Sequence, residues 1–253
     1  MIGRRDEILV VSPHCDDAVL SLGTLLARAR RPVRVLTLFD SSRATIDGTP
    51  PEAVTALRHA EDAGVAAAFG YRFEYAGLPD SGVRGVAWDD AGAPLDRALL
   101  GRAARWLAQR LADSGGSAPL YLPAAIGMHP DHRLALLAAL DALGRSRRRA
   151  GRPVMLYADQ PYLLLGTHDH RLRCLMAGRR AVRQRIRPAA SAAMLAFYPS
   201  QLSPERCNFL CSRMRHEVAW HLKRRDPRRI VRLDRRAPLR RPAASAVRRN
   251  GMV

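Results

Sequence analysis

Two short stretches hold the residues whose types and spacing could do chemistry. Residues 13–17 read Pro-His-Cys-Asp-Asp, directly after the apolar run Ile8 to Val11, and residues 129–132 read His-Pro-Asp-His, after a second β-type run at 119–123. Adjacent carboxylates repel each other, and a strand-to-helix turn does not need a pair of them to fold. Together the stretches offer His14, His129 and His132 with Asp16, Asp17 and Asp131. Such nitrogen and oxygen donors suit tetrahedral zinc, and a catalytic zinc takes three protein ligands and leaves one position open for water. One stretch could supply a His and an Asp and the other a His, leaving the remaining Asp and His for proton transfer. A bound cation would then offset the repulsion between the paired aspartates. Taken singly, each stretch has another reading. An Asp-Asp pair after a strand also binds magnesium in receiver domains, and His-Pro-Asp-His also suits a capped helix start. Pro130 fits a first helical turn, where its missing N–H is not needed, and histidines three apart share roughly one helix face.

The elements that must position these residues alternate along the chain. Strands are expected at 7–12, 33–39, 72–76, 119–123 and 153–158, and helices at 17–30, 52–69, 95–112 and 132–143. In the third helix Leu95, Leu99, Ala103, Trp106 and Leu107 recur at three- and four-residue steps, the period of an amphipathic helix. Strand–helix alternation implies crossover units and a mostly parallel sheet covered on both faces, an α/β fold. Ligands of such sheets collect at the carboxyl ends of the strands, where both polar stretches fall. Residues 178–198 read as a helix interrupted at Pro188.

At this point the sequence resembles the PIG-L/LmbE family of zinc-dependent de-N-acetylases, whose signature is a strand ending in P/A-H-P-D-D and a later H-P-D-H or H-x-x-H. The resemblance covers roughly residues 5–205. Arg58–His59–Ala60–Glu61 resembles the family's R-x-x-E, residues 78–82 (LPDSG) its D-S-G or P-D-G turn, and residues 198–201 (YPSQ) a late Y-x-S-Q segment. It implies a Rossmann-like three-layer fold with a mostly parallel sheet. It also implies zinc held by His14, Asp17 and His132, with other divalent metals possible. Asp16 would be the general base. His129 would stabilise the oxyanion or protonate the leaving amine, oriented by Asp131, while Arg58 and Asp80 would contact substrate. The chain departs from the pattern at Cys15, where the family has proline, and at Ala18, where it has glutamate. Cys15 lies between two ligands in an extended turn and is expected to point away from the metal. Some members carry a tyrosine two residues before the first His of H-P-D-H. This chain has Gly127 there, so no catalytic tyrosine is assigned.

Composition bounds the rest. The 253 residues are enough for a substantial core, and 47% are hydrophobic. There is no apolar run of membrane-spanning length and no signal-type apolar region at the start, which reads as cytoplasmic. Four cysteines are too few for a disulfide scaffold at this length. Against 23 acidic residues stand 42 basic ones, all but Lys223 arginine, giving a net charge of +19. Residues 221–253 carry twelve Lys/Arg and two Asp. The chain therefore divides into a catalytic domain at 1–222 and a basic, mobile tail at 223–253, too poor in apolar residues to fold alone. Such a tail could bind nucleic acid non-specifically through its phosphates, but interleaved aromatics and helix-turn-helix or zinc-finger spacings are missing.

The expected reaction is removal of an N-acetyl group from an amino sugar or N-acetylated glycoside, a small-molecule substrate. The alternatives are cleavage of another amide, such as a thiol conjugate or a natural-product intermediate, and a basic nucleic-acid binder with a structural metal site. The oligomeric state is not legible in the sequence.

Overall fold

The run Ile8–Ser12 (β1) is almost wholly buried, and it sits in the middle of a seven-stranded sheet. The computed structural model describes residues 7–114, 119–145, 152–164, 181–186, 188–222 and Ile230. β1 is followed by α1 (Asp17–Arg28), β2 (Val33–Thr37), α2 (Val54–Phe69), β3 (Arg72–Tyr75), α3 (Arg97–Asp113), β4 (Leu120–Pro123), a 3₁₀ turn (Ile126–Met128), α4 (Pro130–Arg145) and β5 (Val154–Tyr157). β6 (Ala181–Arg185), α5 (Pro188–Leu195), α6 (Pro204–Arg213) and β7 (His216–His221) complete the described chain. The spatial order is β3-β2-β1-β4-β5-β7-β6. The first five strands are parallel, and β7 runs antiparallel to both β5 and β6.

Strand order reverses between β1 and β4, which pair directly through Leu9–Leu120 and Val10–Tyr121. A reversal of this kind opens a crevice at the carboxyl ends of the two strands. That crevice is where residues 13–17 and 129–132 emerge.

Two apolar cores flank the sheet and make the fold three-layered. α3 and α4 fill one face with Leu99, Ala103, Leu107, Leu136 and Leu140, and α1, α2, α5 and α6 fill the other with Leu20, Leu26, Val65, Met194 and Leu210. α4 is buried nearly all round, because it is wedged between the sheet and α3. The helix carrying His132 therefore has little freedom to move.

The chain corrects one expectation. Residues 181–185 form strand β6, and Pro188 begins α5 instead of interrupting a longer helix. Arg, Gln and Ala favour helix intrinsically, but pairing with the alternating segment His216–His221 overrides that preference. The segment 204–213 forms α6, with the Ser203 hydroxyl accepting the Arg206 N–H at 3.3 Å as its cap. Residues 223–253, expected as a basic tail, lie outside the described residues except for Ile230, which is fully buried against the α3–α4 core.

Two motifs that are far apart in sequence meet on α2. Glu61 accepts the Ser200 N–H at 2.8 Å and the Ser200 hydroxyl at 2.7 Å, and Asp62 accepts the Tyr198 hydroxyl at 2.8 Å. The 198–201 segment is thus clamped to the helix that carries Arg58. Replacing Glu61 with Ala leaves the buried Ser200 N–H without a partner, and the expected loss of stability is about 3 kcal/mol. Denaturant titration beside Glu61→Gln, which keeps an acceptor, measures it.

Candidate metal and catalytic site

The turn after β1 is held locally. The Ser12 hydroxyl donates to the His14 carbonyl at 2.6 Å and accepts the Ala18 N–H at 3.1 Å, while the Pro13 carbonyl accepts the Phe39 N–H at 2.9 Å. This folds residues 14–17 so that the His14 N–H donates to Asp17 Oδ2 at 2.9 Å, with His14 Nδ1 3.0 Å from the same oxygen. His132 approaches from the first turn of α4, its Nε2 3.2 Å from Asp17 Oδ2. The His14, His129 and His132 rings lie within 5.0–5.5 Å of one another. Five of the expected residues, His14, Asp17, His129, Asp131 and His132, therefore converge in one small space.

His14, Asp17 and His132 offer ligand atoms close enough to share one ion, with His14 Nδ1 and His132 Nε2 both facing Asp17 Oδ2. His132 Nε2 is buried, and its contact with Asp17 Oδ2 at 3.2 Å lacks hydrogen-bond geometry, as suits two atoms facing a shared cation. The far nitrogen of each histidine meets a carboxylate, His14 Nε2 at Asp131 Oδ2 (2.9 Å) and His132 Nδ1 at Asp159 Oδ1 (2.7 Å). Carboxylates in these positions fix the ring orientation and raise the basicity of a metal-ligating histidine. A second group, His14, His129 and Asp131, is also close enough to hold an ion, but it would take Asp131 away from this supporting role. The residues present fit a divalent metal.

The charges agree with that fit. Burial lowers the His14 imidazolium, but hydrogen bonds to Asp131 and Asp17 outweigh it and raise the group to about 9. In His132 burial is likewise outweighed, first by the charge of Asp17 and then by the Asp159 hydrogen bond, giving about 10. In the metal-free protein, two protons thus supply the positive charge that a cation would bring.

Asp16, partly exposed beside the group, is raised to about 6 by burial and by the neighbouring charge of Asp17, against the opposing pull of Arg58 and His14. His129 is held well below its ordinary value by burial and by the two other histidines. Its Nδ1 accepts the Asp131 N–H at 3.1 Å. The neutral ring therefore carries its proton on Nε2 and offers a donor there.

The orientation expected of Asp131 comes from its backbone. The Asp131 N–H meets His129, while its carboxylate lies on His14, the Ser81 N–H (2.8 Å) and Arg84. Burial would raise that carboxyl, but the His14 hydrogen bond and the charges around it hold it at about 2. Asp80 serves the turn itself, since its Oδ1 accepts the Val83 N–H at 2.8 Å and its carbonyl accepts Arg84 Nε at 3.2 Å. That turn delivers Ser81 and Arg84 to Asp131. Arg58 is buried on α2, donates to the Ala44 carbonyl at 2.7 Å, and has an Nε without a partner among the described residues. Cys15 points away from the metal group, as expected, into the buried cluster around Asp62.

Asp159 and Arg84 were not among the sequence candidates. For Asp159 a signal existed, because it is an acid just past the carboxyl end of β5. Arg84 had none, since its role depends on how the 78–84 turn folds. Replacing Asp159 with Asn should weaken metal affinity about 10- to 100-fold with little change in fold, measured by competition with a chromophoric chelator. Unchanged affinity would remove Asp159 from the site.

The model of the PIG-L family, GlcNAc-PI de-N-acetylase, matches residues 9–143, just over half of the sequence. The chain belongs to this family. The match takes in both polar stretches, β1 to β4 and most of α4. A 2′-N-acetylparomamine deacetylase of Streptomyces fradiae is 33% identical over 171 residues, which cover 63% of this chain and 58% of that relative. The chain thus matches little more than half of that relative's length. Among solved structures, a deacetylase from the biosynthesis pathway of teicoplanin superposes with a TM-score of 0.67 at 24% identity, covering 85% of this chain and 97% of that one. The N,N′-diacetylchitobiose deacetylase of Pyrococcus horikoshii does so with a TM-score of 0.61 at 14% identity, covering 86% and 84%. These likenesses establish a PIG-L fold. Among the described residues no helix is long and apolar enough to cross a membrane.

Proposed function

We propose that this PIG-L chain is a zinc-dependent N-deacetylase that hydrolyses the N-acetyl group of an amino sugar or N-acetylated glycoside to free amine and acetate. The observation that carries the reading is the group His14, Asp17 and His132, each histidine backed by a carboxylate, with Asp16 in the same turn and coupled by charge to Asp17 and His14. Family membership and the N-acetylparomamine relative support the substrate class, and zinc dependence is general in the family.

His14, Asp17 and His132 hold the ion, which when bound supplies Lewis-acid polarisation of the acyl oxygen and makes water a better nucleophile. Asp16 accepts a proton from the attacking water as its oxygen bonds to the acyl carbon. His129, neutral and protonated on Nε2, donates a hydrogen bond to the oxygen on which charge develops. Asp16 then returns the proton to the leaving nitrogen as the C–N bond breaks, so one water is consumed and the base is regenerated. Arg58, buried on α2 with its charge acting on Asp16, is the residue assigned to an acceptor of the substrate. Asp80 acts through the turn that sets Arg84 on Asp131.

Acetate release from a panel of N-acetylated amino sugars with different aglycones, run beside acyl-amide thiol conjugates, tests the reading. Release from at least one N-acetyl sugar is expected. Turnover confined to the thiol conjugates would move the substrate class to other amides.

A further inference from the structure

The described residues offer two groups that could take the same ion, and the groups share a ligand. His14, Asp17 and His132 form one, and His14, His129 and Asp131 form the other. His14 turns Nδ1 to Asp17 and Nε2 to Asp131, at 3.0 and 2.9 Å. Spacing alone therefore does not decide which group an ion enters. The outcome matters for the chemistry proposed above. An ion in the second group would draw the Asp131 carboxylate away from His14 and occupy the His129 ring, which the mechanism uses as a hydrogen-bond donor.

What separates the two groups is the partner of each carboxylate. Asp17 Oδ2 faces the imidazoles of His14 and His132, which are themselves metal ligands and can share an ion with it. Asp131 instead faces a guanidinium, which keeps its charge and offers only donors. Arg84 Nη2 donates to Asp131 Oδ1, while Oδ2 meets His14 Nε2 and the Ser81 N–H. Both oxygens are in use. The Asp131 side chain is fully buried and that of Arg84 is 15% exposed. A metal ion on this carboxylate must displace the guanidinium or stand beside it, and burial leaves their repulsion poorly screened.

Arg84 is also hard to displace. Its Nε and its backbone N–H both donate to the Asp80 carbonyl, at 3.2 and 3.1 Å. Its guanidinium carbon lies 5.9 Å from the centre of the Phe39 ring, a cation–π contact.

We propose that Arg84 is a positioning residue that directs the ion: fixed on Asp131, it closes the group His14, His129 and Asp131 to metal and leaves His14, Asp17 and His132 as the site. This rests on the metal-dependent reading above. The 78–84 turn thereby keeps Asp131 on His14 and leaves His129 free of metal.

Zinc affinity of the full chain, measured by competition with a chromophoric chelator, tests the proposal. His132→Ala breaks the first group and should lose stoichiometric zinc. Adding Arg84→Met opens the second group, and zinc binding should tighten about 10- to 100-fold over His132→Ala. Adding His129→Gln to that double variant should abolish the gain. A merely structural arginine would give no such gain on removal. The proposal is overturned if His132→Ala/Arg84→Met binds zinc no better than His132→Ala, or if the gain survives His129→Gln. The wild type provides a test without any Arg84 variant. In excess zinc it should bind no more than His129→Gln does, and additional zinc that His129→Gln removes would overturn the proposal. If zinc-loaded wild type releases no acetate from any N-acetyl sugar, the deacetylase reading fails separately, and the zinc affinities still decide on Arg84.

Discussion

Replacing Asp16 with asparagine is expected to lower kcat about 10³-fold while metal content and thermal midpoint stay near those of the wild type. Asn is nearly isosteric but cannot accept a proton from water, and Asp16 is not one of the three residues assigned to the metal. The pH profile carries a second signature. A general base works when deprotonated, so activity falls as pH drops through its pKa. Burial and Asp17 raise Asp16 to about 6 in the metal-free protein, and a cation alongside favours the charged form. The acid limb of kcat/KM in the loaded enzyme should therefore lie at or below about pH 6 and disappear in the residual activity of Asp16→Asn. Wild-type turnover in that variant would remove Asp16 from the chemistry.

Replacing His132 with alanine should remove stoichiometric metal and reduce acetate release by about 10³-fold or more, since the polarisation a metal provides is worth several kcal/mol. The Nε2 atom lost lies 3.2 Å from Asp17 Oδ2, so its removal takes away a ligand while Asp17 Oδ2 keeps the His14 N–H. Asp159 loses its contact with His132 but keeps the Ile126 N–H. Metal binding should also depend on pH with a definite sign. His14 and His132, raised to about 9 and 10, hold protons at neutral pH that a metal must displace, so affinity should rise as pH rises. Calorimetry in buffers of different ionisation enthalpy reads the released protons directly. Metal retained at wild-type affinity in His132→Ala would contradict the assigned ligand set.

The site was legible where its signal is local. Residues 13–17 and 129–132 each place His and Asp directly behind an apolar run, and a parallel sheet brings the ends of β1 and β4 side by side. Contacts between distant segments left no such trace. Asp131 sits two residues from His129, yet the start of α4 turns its carboxylate to His14, 117 positions away. Asp159 reaches His132 across 27 positions, and nothing in its neighbourhood marks it beyond the end of β5. The packing of Tyr162 on Gly127 likewise exists only in the folded chain. The fold followed a similar rule. Strands β1 to β5 and helices α1 to α4 were readable from apolar periodicity, whereas β6 was hidden by helix-favouring residues whose conformation is decided by β7.

Acetate release from an N-acetylated amino sugar by the wild-type protein, measured as purified, after chelation and after addition of one equivalent of zinc, tests the central claim most directly. Activity that is lost on chelation and restored by zinc is the predicted result. Acetate release that persists at full rate in protein shown to be metal-free would contradict it.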